Sequence, residues 1–235
     1  MDSIAGGGGL ISLPALLAAG VPAHVALGTN KLQSMCGTTC ALLNFHRHAK
    51  VLWRIAAIGI PFSLAGSAAG ARLALVVPPT VLAKVLVVIL PPAAALMFLS
   101  KSLLRPVGIH HARGTRFWLP TIAACATVGL YDGFFGPGTG TFLILALVLF
   151  SRIPLLNATA TAKTFNLASN VAAFVTFLAS GAIDFRIGLA MAAANVAGNL
   201  IGSHFAVKHG HEFIRRALMA AVAVLFAYLV WKYYL

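Results

Sequence analysis

Two lysines in apolar stretches, Lys31 and Lys163, are the charged residues of this sequence most suited to binding chemistry. They stand 132 residues apart, and each has neighbours that can hydrogen-bond to an oxyanion. These neighbours are Thr29, Asn30, Gln33, Asn166 and Asn170. Burying an ammonium group is costly unless a counter-charge or a ligand compensates it, so the pattern predicts an anion-binding site. The alternatives are lysines that extend to a polar surface and amides that only join helices.

Glycine-rich runs precede two short apolar segments. The first run is residues 6–9, all glycine, and the second is Gly-Pro-Gly-Thr-Gly at residues 136–140. If a helix begins at each run, its free N–H groups and its positive dipole end favour an anion. We predict that the anion is contacted by Gly7, Gly8, Gly9, Gly138, Thr139 and Gly140. The alternative is close packing or a plain turn, and the lack of a following Gly-Lys-Ser/Thr argues against nucleotide binding.

Asp132 stands just before the second glycine run, and Asp2 holds the matching position before the first. Because Asp132 follows an apolar stretch, we predict that its carboxyl group is partly buried. It either accepts a proton that is coupled to transport or caps the turn that follows. The chain has four acidic residues and three cysteines, and their spacing matches no hydrolytic or metal centre. We therefore predict no enzyme activity, no metal and no cofactor.

Composition predicts the elements that must position these residues. Apolar residues make up 60% of the chain and charged residues 9%, against roughly 25% charged in soluble domains. A bilayer-spanning helix needs about 20 mostly apolar residues. Nine apolar segments recur, at about residues 10–19, 25–45, 55–77, 81–100, 118–133, 139–150, 156–179, 187–207 and 213–234. The sequence therefore predicts an all-α, polytopic transmembrane helix bundle.

The two halves of the chain resemble each other at an offset of 132 residues. Pro22 matches Pro154, and Gly66 and Gly70 match glycines at 198 and 202. At the glycine runs the offset becomes 130. Short, interrupted apolar segments at corresponding positions of two halves are typical of a transporter's binding site. We predict two pseudo-symmetric repeats, at 1–100 and 118–235, joined by a basic cytoplasmic loop at 101–117.

In the second half a hydrophobic helix precedes the glycine run, whereas the first run stands near residue 1. The comparison predicts that the first repeat lacks its opening helix.

The net charge of +13 is distributed in short basic clusters between apolar segments. Such clusters are typical of cytoplasmic loops, and they lack the interleaved aromatics of a nucleic-acid-binding stripe. If the two short segments cross the membrane, eleven basic residues lie on one side and four on the other. If they turn back, the division is nine to six. The first arrangement agrees better with the positive-inside rule, and it makes the two repeats inverted.

Several motifs resemble those of a known family. They are the glycine run at 6–9 with Pro14, Ala-Leu-Gly-Thr-Asn-Lys at 26–31, and the stretches 131–140 and 161–170. Together they are similar to the sulfite exporter TauE/SafE family of bacterial membrane proteins, and the two later stretches resemble its YfcA-like branch of probable transporters. The resemblance covers essentially the whole chain. It implies an inner-membrane permease with duplicated transmembrane units, linked to sulfite, sulfoacetate and other small organic or sulfur-containing anions.

The predicted function is secondary transport of a small anion, such as a sulfur oxyanion or an organosulfonate, across the bacterial inner membrane. We predict lipid and the anion as partners, no nucleic acid, and a chain that can form a homo-oligomer. An anion channel and a non-transporting membrane subunit of a larger complex are the alternatives.

Overall fold

The computed structural model describes residues 9–47, 51–103, 115–209 and 226–233. All regular structure in these ranges is helical, with no strand among them, so the all-α prediction is confirmed. Asp2, Gly7, Gly8 and positions 104–114 of the predicted connecting loop lie outside these ranges.

Nine helices follow one another in the described part of the chain. They are α1 (Gly9–Ala18), α2 (Ala23–Arg47), α3 (Trp53–Val76), α4 (Pro79–Leu103), α5 (Thr115–Phe134), α6 (Thr139–Leu149), α7 (Leu155–Ala179), α8 (Phe185–His209) and α9 (226–233). The first eight agree with the predicted apolar segments to within a few residues. The two segments predicted to be short are the shortest of these eight helices, with 10 residues in α1 and 11 in α6.

The helices differ in how well they suit a membrane. Two are long and apolar enough to cross one: α3, and α4 over Pro79–Leu96. The helices α2 and α7 have 25 residues each, but polar side chains lower their hydropathy. Those side chains are buried in the bundle, where Lys31 is 1% exposed and Lys163 is 2% exposed. The polar surfaces of α2 and α7 therefore face the protein interior.

Small residues bring α3 and α5 into backbone contact. A Cβ atom added at Gly66 would collide with the carbonyl oxygen of Ala126, and one added at Gly70 would collide with that of Leu130. Close approach of two helices at glycines is typical of membrane bundles. The predicted packing surface around Gly66 and Gly70 is therefore confirmed, and this contact holds α5 in place beneath the glycine turn that follows it.

Helix starts recur at the spacing read from the sequence. The helices α2 and α7 begin at Ala23 and Leu155, which are 132 residues apart, and each follows a proline. The helices α1 and α6 begin at Gly9 and Thr139, which are 130 residues apart. Both lysines are consequently the ninth residue of a 25-residue helix.

Hydrogen bonds at related positions connect the two halves. The Leu52 N–H donates to Thr161 Oγ1 at 3.1 Å, and the Asp184 N–H donates to Thr29 Oγ1 at 2.9 Å. In each case the donor lies just before a helix and the acceptor lies on a helix of the other half. Two further bonds share this relation: Ser63 Oγ to Phe165 O at 2.8 Å, and Asn195 Nδ2 to Gln33 O at 3.3 Å.

The short helix α1 is held at its carboxyl end by α9. Lys232 Nζ donates to the carbonyl oxygens of Leu17 at 3.0 Å and Ala18 at 3.1 Å. Lysines satisfy the free carbonyls at helix ends in this way. The opposite end of α1, at Gly9, is left pointing toward the polar residues of α2 and the second glycine turn.

Candidate functional site

Lys31 is the centre of a polar cluster in the bundle. Its ammonium group lies 2.8 Å from Asp132 Oδ1, and both side chains are at most 2% exposed. A longer contact of 3.4 Å joins Lys31 Nζ to Asn170 Oδ1. The cluster thus joins α2 of the first half to α5 and α7 of the second. Charges within a membrane bundle commonly pair with one another, and this pair fixes where the three helices meet.

Asp132 lies near the end of α5, and only one of its carboxyl oxygens is engaged. Oδ1 faces Lys31 and also lies 2.7 Å from the hydroxyl of Thr139, the first residue of α6. The Thr139 oxygen is also 2.6 Å from the carbonyl of Gly136, so its single hydrogen can donate to either acceptor. Oδ2 is buried with no hydrogen-bond partner in the part of the chain that the structure describes.

The turn between α5 and α6 requires glycine. Gly136 has φ of 98° and Gly138 has φ of 87°, in the left-handed region that L side chains rarely adopt. A Cβ added at Gly136 would also lie 2.8 Å from Lys31 Nζ. The hydroxyl of Tyr131 donates to the carbonyl of Pro137 at 2.6 Å and closes the turn. The sequence Gly-Pro-Gly therefore lets the backbone pass directly beside the lysine.

Amide side chains border the lysine on both sides. On α7, Asn170 Nδ2 donates to Asn166 Oδ1 at 3.0 Å. On α2, Asn30 Oδ1 accepts hydrogen bonds from Ser12 at 2.6 Å and from Gln33 at 2.8 Å. These bonds fix the amides, and the bond from Ser12 connects α1 to the cluster. The amide groups are therefore positioned before any ligand binds.

A small polar pocket opens at this cluster. It is lined by Gly9, Asn30, Lys31, Ser34, Thr38, Asp132, Gly136, Asn166 and Asn170. The lining comes from α1, α2, α5, α7 and the glycine turn, and it contains no aliphatic side chain. An added Cβ at Gly9 would lie 3.4 Å from both Asn30 Nδ2 and Pro137 Cγ, so α1 begins against the second glycine turn. The pocket therefore offers one ammonium, one carboxyl and several uncharged polar groups.

The residues predicted from the sequence fall into three groups. Five of them line the pocket: Gly9, Asn30, Lys31, Asn166 and Asn170. Others are buried but are not part of the lining, namely Thr29, Gln33, Gly138, Thr139, Gly140 and Lys163. Gly7 and Gly8 lie outside the described residues. Thr29 accepts its hydrogen bond from the backbone at the start of α8, and Gln33 acts through Asn30.

Some lining residues escaped the sequence interpretation as site residues. Ser34, Thr38 and Gly136 belong to the pocket, and the contact of Lys31 with Asp132 was not predicted. One signal for this contact was available: the chain has only four acidic residues, and an acid inside an apolar segment generally has a basic partner.

Comparison with known proteins gives a consistent result. The family model described as "Sulfite exporter TauE/SafE" matches residues 1–229. "Probable membrane transporter protein ORF9" of Sinorhizobium sp is 41% identical over 219 residues, covering 93% of this chain and 83% of that protein. "Probable membrane transporter protein YfcA" of Escherichia coli K12 is 36% identical over 232 residues, covering 98% of this chain and 85% of that protein.

A third relative, "Probable membrane transporter protein" of Haemophilus influenzae, is 37% identical over 215 residues, covering 92% of this chain and 83% of that protein. No solved structure matches the chain significantly. The relatives are described as membrane transporters and not as enzymes. On the breadth of the family match and these identities, the chain belongs to the sulfite exporter TauE/SafE family of membrane transporters.

Proposed function

We propose that this protein is a secondary transporter of a small anion, and that the anion binds in the pocket at Lys31. The observation that carries the proposal is a buried ammonium group placed between the two halves of the chain. A buried charge of this kind is retained in membrane bundles mainly where substrates or ions pass. The family's description as a sulfite exporter favours a sulfur oxyanion or an organosulfonate.

The uncharged groups of the pocket fit such an anion. Amide N–H₂ groups and hydroxyls are available from Asn30, Ser34, Thr38, Asn166 and Asn170. The amino end of α1 adds backbone N–H groups and the positive end of a helix dipole. A sulfonate or sulfite head group presents three oxygens, which suits donors arranged around one point. This arrangement supports recognition of the head group and leaves the rest of the substrate less constrained.

We further propose that the two halves are inverted repeats, at 1–100 and 118–235. The paired hydrogen bonds support duplication: donors Leu52 and Asp184 are 132 residues apart, and so are acceptors Thr161 and Thr29. The charge distribution read from the sequence supports inversion and an inner-membrane location with the 101–117 loop in the cytoplasm. Inverted repeats with a site at their interface provide a basis for alternating access.

The test is uptake by proteoliposomes that contain the full chain. The panel is radiolabelled sulfite, thiosulfate, sulfoacetate and methanesulfonate. We expect saturable uptake of at least one of them, and a loss of about tenfold or more in the Lys31→Met variant, since a charge-assisted hydrogen bond contributes about 1.5–3 kcal/mol. The matched control is Lys84→Met, which removes an exposed lysine of α4. Uptake at the level of empty liposomes for all four anions would refute the anion assignment.

A further inference from the structure

The carboxyl group of Asp132 is occupied on one side only. Oδ1 lies within hydrogen-bond distance of Lys31 and Thr139. Oδ2 is buried, belongs to a pocket-lining residue, and has no partner within the described residues. A buried carboxylate oxygen without a donor costs free energy, and folded proteins rarely keep one without a functional reason. The oxygen is therefore a free acceptor inside the proposed binding pocket.

The charges of the pocket lead to a conclusion about what must accompany the anion. Lys31 and Asp132 cancel each other, so the pair is neutral. An anion that joins the pair leaves one excess negative charge in a buried site, which is expensive in a low-dielectric environment. One proton on Asp132 removes the excess. The proton would also end the hold of the carboxylate on Lys31 and so release the ammonium group to the anion.

The surroundings of Asp132 restrict which other groups can supply or take that charge. The packed elements α2, α3 and α7 carry these cationic residues near or facing α5: Lys31, Arg54, Arg72 and Lys163. Arg54 and Arg72 are exposed, and Lys163 is buried on α7. The helix α6 has no titratable residue. On α5 itself, Tyr131 directs its hydroxyl at Pro137 and Cys125 is buried farther along the helix. Lys31 is therefore the charged group in direct contact with Asp132.

We propose that Asp132 takes up one proton at Oδ2 together with each transported anion, an inference that rests on the function proposed above. Carboxylate plus proton gives the neutral acid, and the Lys31 ammonium then pairs with the anion. When the anion leaves, the proton leaves as well and the pair with Lys31 forms again. Thr139 permits the change without moving heavy atoms, because its hydrogen can turn from Asp132 to the Gly136 carbonyl. No bond within the anion is made or broken.

The experiment uses the full chain in proteoliposomes, radiolabelled sulfite, a clamped membrane potential and an imposed pH gradient. The wild type should accumulate sulfite on the alkaline side and lose the accumulation when the gradient is collapsed. Asp132→Asn should lose accumulation but still exchange labelled for unlabelled sulfite, because the amide resembles the protonated acid and cannot release a proton. Asp132→Glu should recover part of the accumulation, since it restores an acid.

A matched control removes a different carboxylate. Asp184 accepts a hydrogen bond from the Ile187 N–H at the start of α8 and does not line the pocket. The Asp184→Asn variant should accumulate sulfite as the wild type does. Accumulation by the wild type that does not depend on the gradient, or full accumulation by Asp132→Asn, would overturn the proton inference and leave anion transport standing. Absence of movement of every anion in the panel would instead refute the transport proposal, and this inference with it.

Discussion

Lys31 and Lys163 hold the same position in two helices of equal length, yet their surroundings differ. Each is the ninth residue of a 25-residue helix and is almost fully buried. Lys31 lies in the pocket in contact with Asp132, whereas Lys163 is not part of the lining. The comparison teaches that duplication of a sequence motif produces two candidate sites but does not make them equivalent in one conformation. An alternating transporter requires such asymmetry.

A second comparison concerns the small-residue surfaces of α3 and α8. On α3, Gly66 lies against the backbone of α5. On α8, the corresponding Gly198 has no atom of the described residues within 4 Å of an added Cβ, and it is exposed. The same residue type therefore serves close packing in one half and remains uncovered in the other half of the described structure.

The largest expected effect distinguishes the two lysines. We expect Lys31→Met to weaken sulfite binding by about tenfold or more, because a hydrogen bond to a charged group contributes about 1.5–3 kcal/mol. Lys163→Met should change binding by a smaller factor, since Lys163 is outside the lining. Titration calorimetry on the purified protein provides the measurement. Equal losses in the two variants would show that both lysines contact the anion and that the asymmetry has no functional meaning.

An intermediate effect distinguishes the two glycines. Gly66→Ala should destabilise the protein by about 1–3 kcal/mol, because the added methyl group meets the Ala126 carbonyl of α5. Gly198→Ala should be neutral or stabilising by up to about 1 kcal/mol, because alanine favours helix and nothing described obstructs it. Thermal unfolding in detergent measures both variants. A destabilised Gly198→Ala protein would indicate that the α8 surface is covered by another segment or subunit.

The smallest effect examines the proposed duplication itself. Thr29→Val and Thr161→Val each leave one backbone N–H group at a helix start without its acceptor, at Asp184 and Leu52 respectively. Each should cost about 1 kcal/mol, and the two costs should agree closely because the bonds are equivalent. Guanidinium or detergent-based unfolding compares them. A large difference would weaken the argument from paired hydrogen bonds, although not the assignment to the family.

Much of the fold followed from the sequence because apolar length and glycine or proline breaks act locally. The short helices α1 and α6 and the starts of α2 and α7 could be predicted from the glycine runs and from Pro22 and Pro154. Contacts between segments were harder. The pair Lys31 and Asp132 is formed by residues 101 positions apart, and no local pattern encodes which buried acid meets which buried lysine.

The candidate site was predictable in its residue types but not in its membership. Asn166 and Asn170 were identified by helical spacing, since residues three and four positions apart share a face, and the structure joins them by a hydrogen bond. Thr38 lies two turns beyond Lys31 and carries no distinguishing signal. Thr29 and Lys163 have suitable chemistry, but helix rotation directs them elsewhere, and rotation is set by packing across the whole bundle.

The most direct test of the central claim compares anion binding by the wild type and by the Lys31→Met/Asp132→Asn double variant. Changing both residues avoids the cost, about 3–5 kcal/mol, of leaving one buried charge unpaired, so the double variant should remain folded, as a thermal unfolding curve can verify. Calorimetric titration with sulfite should show saturable binding to the wild type and none to the folded double variant. Equal affinity in the two proteins would contradict the claim that the pocket at Lys31 holds the anion.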